Sequence, residues 1–141
     1  MRFLLDTNIL SELRKAALAN GNVMTWWEES AESSVVSVLS LGEIRQGIEG
    51  VRLRDPRQAE AIERWLDRTR ARFSGLILPV TEEITDRWGR LPDSLMLPAV
   101  DALLAATALE HGLIVATRNV RDFERCGVPV VNPFEEGMAH G

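Results

Sequence analysis

The sequence has few of the residues on which several classes of enzyme and secreted protein depend. Its 141 residues include one cysteine, two histidines and one lysine. No apolar run approaches the roughly 18 residues that cross a bilayer, and residues 1–15 lack the pattern of a secretion signal. Cys126 alone forms neither an internal disulfide nor a cysteine-based zinc site. We therefore expect a protein of the reducing cytoplasm, without a membrane span.

These absences also exclude several chemistries. His111 and His140 do not supply the two imidazoles that a metal-free ribonuclease uses as general acid and base. Lys15 is the only lysine for a phospho-receiver site, and Asp6-Thr7-Asn8 lacks the second aspartate of a phosphoaspartate hydrolase. The sequence contains no glycine-rich phosphate loop and no convincing serine triad. The net charge of −5 argues against a protein that coats nucleic acid by bulk charge.

The positive charge that is present is almost entirely arginine, because 15 of the 16 basic residues are of this type. Three clusters stand out: Arg52, Arg54 and Arg57; Arg68, Arg70 and Arg72; and Arg118, Arg121 and Arg125. Arginine binds phosphate through paired hydrogen bonds. A solvated helix face is the commoner role of any single cluster, so local phosphate contacts stay open as an alternative.

Short apolar runs alternate with stretches of helical spacing along the chain. Strands are expected at residues 2–5, 33–38, 76–80, 113–116 and 128–131, the third of them buried. Between them we expect helices, with Asn22 as the cap of the second, Asp55-Pro56 at the start of the long helix and Pro98 at the start of the most apolar one. This alternation predicts one α/β domain over residues 1–141, with a mainly parallel sheet covered on both faces by helices.

Three carboxylates fall near the starts of helices that follow or pack on strands: Asp6, Glu43 and Asp101. Each has an ordinary alternative role. Asp6 suits a helix cap, Glu43 a solvated helix face, and Asp101 the positive end of a helix dipole, worth about 0.3 to 1 kcal/mol. Ligands of open α/β sheets bind at the carboxyl ends of the strands, so we expect the three acids to meet at one sheet edge. Such a cluster repels itself unless a cation is bound, and oxygen ligands without histidine favour Mg²⁺ or Mn²⁺ over zinc.

Four blocks of sequence, in order and at suitable spacing, carry a more specific signal. They are residues 4–12 (Leu-Leu-Asp-Thr-Asn-Ile-Leu-Ser-Glu), 37–47, 101–107 and 116–123 (Ala-Thr-Arg-Asn-Val-Arg-Asp-Phe). Over nearly the whole chain these blocks resemble PIN-domain proteins of the VapC type, the ribonuclease toxins of bacterial and archaeal toxin–antitoxin pairs. The resemblance implies a three-layer α/β/α sandwich that forms a homodimer and hydrolyses RNA phosphodiesters with Mg²⁺ or Mn²⁺.

The resemblance also implies roles for individual residues. The implied metal ligands are Asp6, Glu43 and Asp101, the implied supporting residues are Thr7 and Thr117, and the ring is completed by Asn119 or Asp122. Many relatives carry an acid where Asn119 stands, so this fourth position stays open. A purely structural alternative is that Asn119 caps the short helix while Asp122 lies at its positive end. We expect a shared role, in which Asn119 caps the helix and also reaches the metal's water shell.

The expected partners follow from the same resemblance and from charge. Relatives are inhibited by a small antitoxin whose carboxyl segment fills the groove. A carboxylate cluster is a good receptor for a guanidinium group, so we expect an arginine with apolar neighbours in that segment. Among the four tryptophans we expect Trp65 in the core and at least one other on an apolar helix surface where a homodimer forms.

A second class of function remains open, namely a non-catalytic PIN-like scaffold that binds RNA or a protein partner. This alternative would follow if the amide of Asn119 weakens the metal site. Such a scaffold needs none of the three acids, and their presence favours the enzyme.

Overall fold

The computed structural model describes residues 1–135, in which strands alternate with helices. The strands are β1 (Phe3–Leu5), β2 (Ser34–Ser37), β3 (Ile77–Leu78), β4 (Ile114–Ala116) and β5 (Val130–Val131). The α-helices are α1 (Thr7–Leu13), α2 (Gly21–Ser30), α3 (Val38–Arg52), α4 (Pro56–Arg72), α5 (Glu82–Arg90), α6 (Ala99–His111) and α7 (Val120–Arg125). His140, considered above as an acid or base, lies outside the described residues.

The five strands form one sheet in the order β3-β2-β1-β4-β5, and every pair of neighbours is parallel. The chain moves outward from β1 to β3 and then crosses to the other side of β1 to form β4 and β5. The strand order therefore reverses between β1 and β4. Ligands of parallel sheets bind in the crevice at such a reversal, which lies between the turns that follow β1 and β4.

Helices cover both faces of this sheet. Successive side chains of a strand point to opposite faces, so β1 contributes to a core on each side. Phe3 and Leu5 of β1 belong to one apolar core with residues of α1, α2, α3 and α4. Leu4, between them, belongs to a second core with residues of α6 and α7. The expected three-layer α/β/α sandwich is confirmed. Among the described residues, no helix has both the length and the apolar character that crossing a bilayer requires.

Most helix starts agree with the sequence signals, but the cap of α2 differs. Asp55 accepts a hydrogen bond from the backbone N–H of Gln58, as expected for the start of α4. The prediction that Asn22 caps α2 is wrong, because Asn20 accepts the bonds from the first backbone N–H groups of that helix. The side chain of Asn22 instead donates to the carbonyl oxygen of Phe134 at 2.9 Å.

All five strands are shorter than the runs that predicted them, and the reason is clearest for two of them. β3 has only two residues, both half-buried, because it lies at the sheet edge and the run continues into Pro79, which has no N–H to donate. The expectation of a buried strand over residues 76–80 is therefore wrong. β2 ends at Ser37, since the hydroxyl of Ser37 caps α3 by accepting from the N–H of Leu39 at 3.0 Å.

Candidate functional site

A groove of about 470 Å³ lies at the carboxyl ends of β1, β2 and β4. Its walls come from the turns after β1 and β4 and from α1, α3 and α6. The lining residues are Asp6, Thr7, Asn8, Ser11, Glu12, Lys15, Glu43, Asp101, Arg118, Asn119 and Phe134. The three acids expected at one sheet edge thus share one surface, although they are far apart in the sequence.

Asp6 follows β1 and combines the two roles that the sequence left open. One carboxylate oxygen caps α1 by accepting from the N–H of Thr7 at 2.7 Å. The other accepts from the hydroxyl of Thr117 at 2.8 Å and from the amide of Asn8 at 3.3 Å. Burial raises the pKa of Asp6, Glu43 adds to the rise, and these hydrogen bonds oppose it. Asp6 is a helix cap whose carboxylate also faces the groove.

Glu43 lies in the second turn of α3 and is half-buried. Its carboxylate accepts a hydrogen bond from the hydroxyl of Thr7 at 2.5 Å. Thr7 therefore connects the acid on α3 to the turn that carries Asp6. This arrangement differs from the solvated helix position that a lone glutamate usually occupies.

Asp101 lies in the first turn of α6, where the positive end of the helix dipole favours a negative charge. The pKa of Asp101 is nevertheless raised to about 6, chiefly by burial and then by the charges of Asp6, Glu43 and Asp122. Within residues 1–135, its carboxylate has neither a hydrogen-bond donor nor a basic ion-pair partner. Burial and the neighbouring acids therefore disfavour the charged form of this carboxylate.

Asn119 lines the groove, whereas Asp122 contacts Asn119 and is not part of the lining. The amide of Asn119 donates to the carboxylate of Asp122 at 3.0 Å, and its backbone N–H donates to the hydroxyl of Thr117 at 2.9 Å. The prediction that the Asn119 side chain caps α7 is wrong: it occupies the cap position, but its amide is turned to Asp122 and makes no cap bond. Asp122 also lies 3.6 Å from Arg125, and its charge still raises the pKa of Asp101.

Sequence reasoning missed the part that Asn8 plays in this site. Its amide nitrogen lies within hydrogen-bond distance of Asp6 and of the Thr117 hydroxyl, and its oxygen accepts from the N–H of Arg118 at 3.2 Å. Asn8 therefore ties the turn after β1 to the turn after β4. The sequence signal for this role was the position of Asn8 two residues after Asp6, in the turn that follows β1. Sequence reasoning also missed Phe134 as a lining residue of the groove, because no sequence pattern connects it to the distant acids.

The donors of the groove suit a hard divalent cation. Carboxylate, hydroxyl and amide oxygens are ligands that Mg²⁺ and Mn²⁺ prefer, and no described acid among Asp6, Glu43 and Asp101 is neutralised by an ion pair. In the described part of the chain, no three Asp, Glu, His or Cys side chains close on one point as a bound ion requires. Asp6 and Glu43 are engaged by hydroxyl groups instead. The residues fit such a cation in donor type and charge, and a cation competes with these hydrogen bonds.

Comparison with known proteins gives concordant results. A sequence model of the PIN domain matches residues 3–128. The VapC ribonuclease Y4jK of Sinorhizobium fredii is 28% identical over 137 residues, which are 93% of this chain and 96% of that protein. The crystal structure of FitAcB from Neisseria gonorrhoeae has a TM-score of 0.82 and 28% identity, covering 94% of this chain and 99% of that one. A toxin–antitoxin complex from Klebsiella pneumoniae has a TM-score of 0.61 and 27% identity, covering 94% and 98%.

Proposed function

The chain belongs to the PIN domain family, and from that premise we propose that it is a metal-dependent endoribonuclease and the toxin of a toxin–antitoxin pair. The observation that carries the proposal is Asp101, a half-buried carboxylate without a partner in residues 1–135 that shares a groove with Asp6 and Glu43. Folding gains nothing from placing the unpartnered carboxylate of Asp101 beside two other acids, so this placement favours a bound cation. The ribonuclease name of the Sinorhizobium relative supports the reaction class.

In this proposal Asp6, Glu43 and Asp101 hold Mg²⁺ or Mn²⁺. Such a cation lowers the pKa of a water molecule and neutralises charge on the phosphoryl oxygens of the RNA. The protein's own contribution is preorganisation. The hydroxyl of Thr117 and the amide of Asn8 orient Asp6, and the hydroxyl of Thr7 orients Glu43. Asn119 would complete the ring as a neutral group that reaches the water shell of the metal, and Asp122, which accepts from the Asn119 amide, would add negative charge.

The test is cleavage of mixed RNA by the purified protein in Mg²⁺, in Mn²⁺ and in a chelator. We expect cleavage with either ion, none in the chelator, and loss of cleavage in Asp101→Asn. Asp67→Asn is the matched control, because Asp67 is an exposed aspartate on α4 whose contact is a local ion pair with Arg70. RNA binding without cleavage under every condition would instead identify the scaffold class.

The protein partner in this proposal is an antitoxin whose carboxyl segment fills the groove and places an arginine on the acids. A second hollow of about 200 Å³ supports this, since it shares Thr7 and Glu43 with the groove and has apolar walls that include Ile48, Ile62 and Trp65. Trp65, expected in the core, is half-buried at this hollow. The solved neighbour that is a toxin–antitoxin complex agrees with this assembly. Full inhibition by a segment without its arginine would contradict this mode of binding.

A homodimer and a cytoplasmic location complete the proposal. Trp88 on α5 is 42% exposed and Met96 is 88% exposed, which leaves apolar surface available for a second copy. A free buried cysteine and an RNA substrate both suit the cytoplasm. Light scattering at about tens of micromolar, where weak association is detectable, tests the dimer, and a monomer there would remove it.

A further inference from the structure

The groove that holds the three acids also has a basic end. Lys15 and Arg118 both line it. The ammonium of Lys15 is engaged, because it lies 2.9 Å from the carboxylate of Glu12. Arg118 forms no ion pair within residues 1–135, and its guanidinium carbon lies 4.2 Å from the centroid of the Phe134 ring. The charge of Arg118 contributes to the lowered pKa of Glu12, but of the two basic side chains that line the described groove Arg118 is the one without an ion pair and is available to bind an anion.

Both members of the Arg118–Phe134 stack are held by backbone hydrogen bonds. The N–H of Phe134 donates to the side chain of Asn132 at 3.0 Å, and its carbonyl oxygen accepts from the side chain of Asn22 at 2.9 Å. The N–H of Arg118 donates to the oxygen of Asn8, whose amide also reaches Asp6. One asparagine thus fixes the basic end of the groove relative to the acids.

Stacking on a ring suits a guanidinium to anion binding. A guanidinium that lies flat on a ring keeps its N–H donors in its own plane, where they remain available to an anion. The side chain of Arg118 is exposed, so these donors are open to a ligand in the groove. A phosphate accepts two such donors at once through charge-assisted hydrogen bonds.

We propose that Arg118, held on the ring of Phe134, binds a phosphate of the RNA backbone next to the scissile one and so fixes the register of the strand on the three acids. This rests on the proposed function, because it takes single-stranded RNA as the ligand. Contacts to phosphate position a nucleic acid without reading its sequence. The acids repel the backbone, so the cationic contact decides where along the groove the strand lies.

The experiment compares RNA affinity and cleavage for wild type, Arg118→Ala, Arg118→Lys and Phe134→Leu, with Arg70→Ala as control. Arg70 is an exposed arginine on α4 whose ion pair with Asp67 lies within one helix. Affinity is measured with a fluorescent oligoribonucleotide in a chelator at several salt concentrations. Steady-state cleavage supplies KM and kcat. Melting curves check that each variant folds. We expect the Arg118 variants to melt like wild type, because Arg118 is exposed.

We expect Arg118→Ala to weaken RNA binding and to raise KM about tenfold, while kcat changes by less than about threefold. The slope of log affinity against log salt should fall by about 0.7, the value for one phosphate contact to a single strand. Arg118→Lys should keep the wild-type slope but bind less tightly. Phe134→Leu should weaken binding about threefold with the slope unchanged, and Arg70→Ala should match wild type.

The outcomes separate this inference from the proposed function. If no protein cleaves RNA but the Arg118 and Phe134 variants bind it less tightly than wild type while Arg70→Ala does not, the phosphate contact of Arg118 stands and the proposed function fails. If all variants cleave with the same KM and salt slope, the inference is overturned and the proposed function stands. If Arg70→Ala loses as much RNA affinity as Arg118→Ala, binding depends on bulk charge, and the inference is overturned. Unchanged RNA binding with weaker inhibition by an antitoxin segment would assign Arg118 to the protein partner, which also overturns it.

Discussion

Two clusters of carboxylates among the described residues differ in whether basic side chains neutralise their charge. Between α3 and α4, Glu49 and Glu63 form ion pairs with Arg45 and Arg52. A hydrogen bond from Arg52 lowers the pKa of Glu49, and one from Arg45 lowers the pKa of Glu63. This network joins two packed helices at the protein surface.

In the groove the pKa shifts of two of the acids have the opposite direction. Burial and neighbouring acids raise the pKa of Asp6 and of Asp101. Glu12 lines the same groove and provides an internal contrast, because Lys15 and the N–H of Asn20 bind its carboxylate and lower its pKa. The difference indicates which acids serve the fold and which are available to a ligand. Burial alone does not separate them, since Asp6 and Glu12 are both buried.

The largest effect should come from removing charge in the groove. Asp6→Asn, Glu43→Gln and Asp101→Asn each keep the side-chain shape and remove a charge that holds the cation, so cleavage should fall at least about a hundredfold. Asn remains a good helix cap, so Asp6→Asn should still fold. RNA cleavage and circular dichroism are the measurements. Cleavage at the wild-type rate in all three variants would show that the site is elsewhere.

Addition of the cation should sharpen the same contrast. A ligand that binds only the folded state at 100 times its Kd stabilises it by about 2.7 kcal/mol, so Mg²⁺ or Mn²⁺ should raise the melting temperature of the wild type. Asp101→Asn should show a smaller rise, and Glu63→Gln should show the full rise. Equal shifts in all three proteins would mean that the cation binds outside the groove.

The metal-free protein should lose stability as pH rises through the titration of Asp101. Its pKa is about 6 when folded, against an ordinary aspartate value of 3.8, so the folded state binds the extra proton between about pH 4 and 6. The stabilisation is complete below pH 4 and disappears as pH rises through 6. Denaturant unfolding in a chelator should show this decline, and Asp101→Asn should remove most of it. An identical profile in both proteins would exclude Asp101 as its source.

Asn119 and Asp122 allow a finer comparison within the groove. Asn119→Asp adds a charge to the lining and should lower the Mg²⁺ concentration for half-maximal cleavage, while Asp122→Asn should raise it, each about threefold. Without metal, Asn119→Asp should melt at a lower temperature because of added repulsion. Unchanged metal dependence in both variants, with lower melting for Asp122→Asn, would leave helix stabilisation as the role of Asp122.

The smallest effect should come from the neutralised region. Glu63→Gln removes one partner of half-buried ion pairs at the surface, which contribute little to stability because water and salt screen them. We expect a slight fall in melting temperature that vanishes in high salt, with cleavage within about twofold of wild type. A large loss of cleavage would connect the α3–α4 network to the groove.

The sequence predicted the features that depend on local pattern. Asp55-Pro56 marked the start of α4, the alternation of apolar runs with helical spacing indicated the sheet, and the positions of the three acids near helix starts indicated that they meet at one sheet edge. The prediction of the α2 cap failed because Asn20 and Asn22 have the same propensity to cap a helix. The side chain of Asn22 is engaged by a tertiary contact with Phe134. The amide of Asn119 could not be oriented from the sequence, because its direction depends on Asp122 in the folded turn.

Cys126, the single thiol, lies one residue beyond α7, in the core that also contains Phe123. Its sulfur lies 3.5 Å from the carbonyl oxygen of Asp122, and burial raises its pKa. Reagents attack the thiolate, so the closed protein protects this group from alkylation. The alkylation rate therefore reports how often the corner that bears Asn119 and Asp122 opens, and a bound cation or RNA that holds this corner in place should slow it. Labelling of the Cys126 thiol thus provides a way to follow local opening beside the groove without introducing a new cysteine.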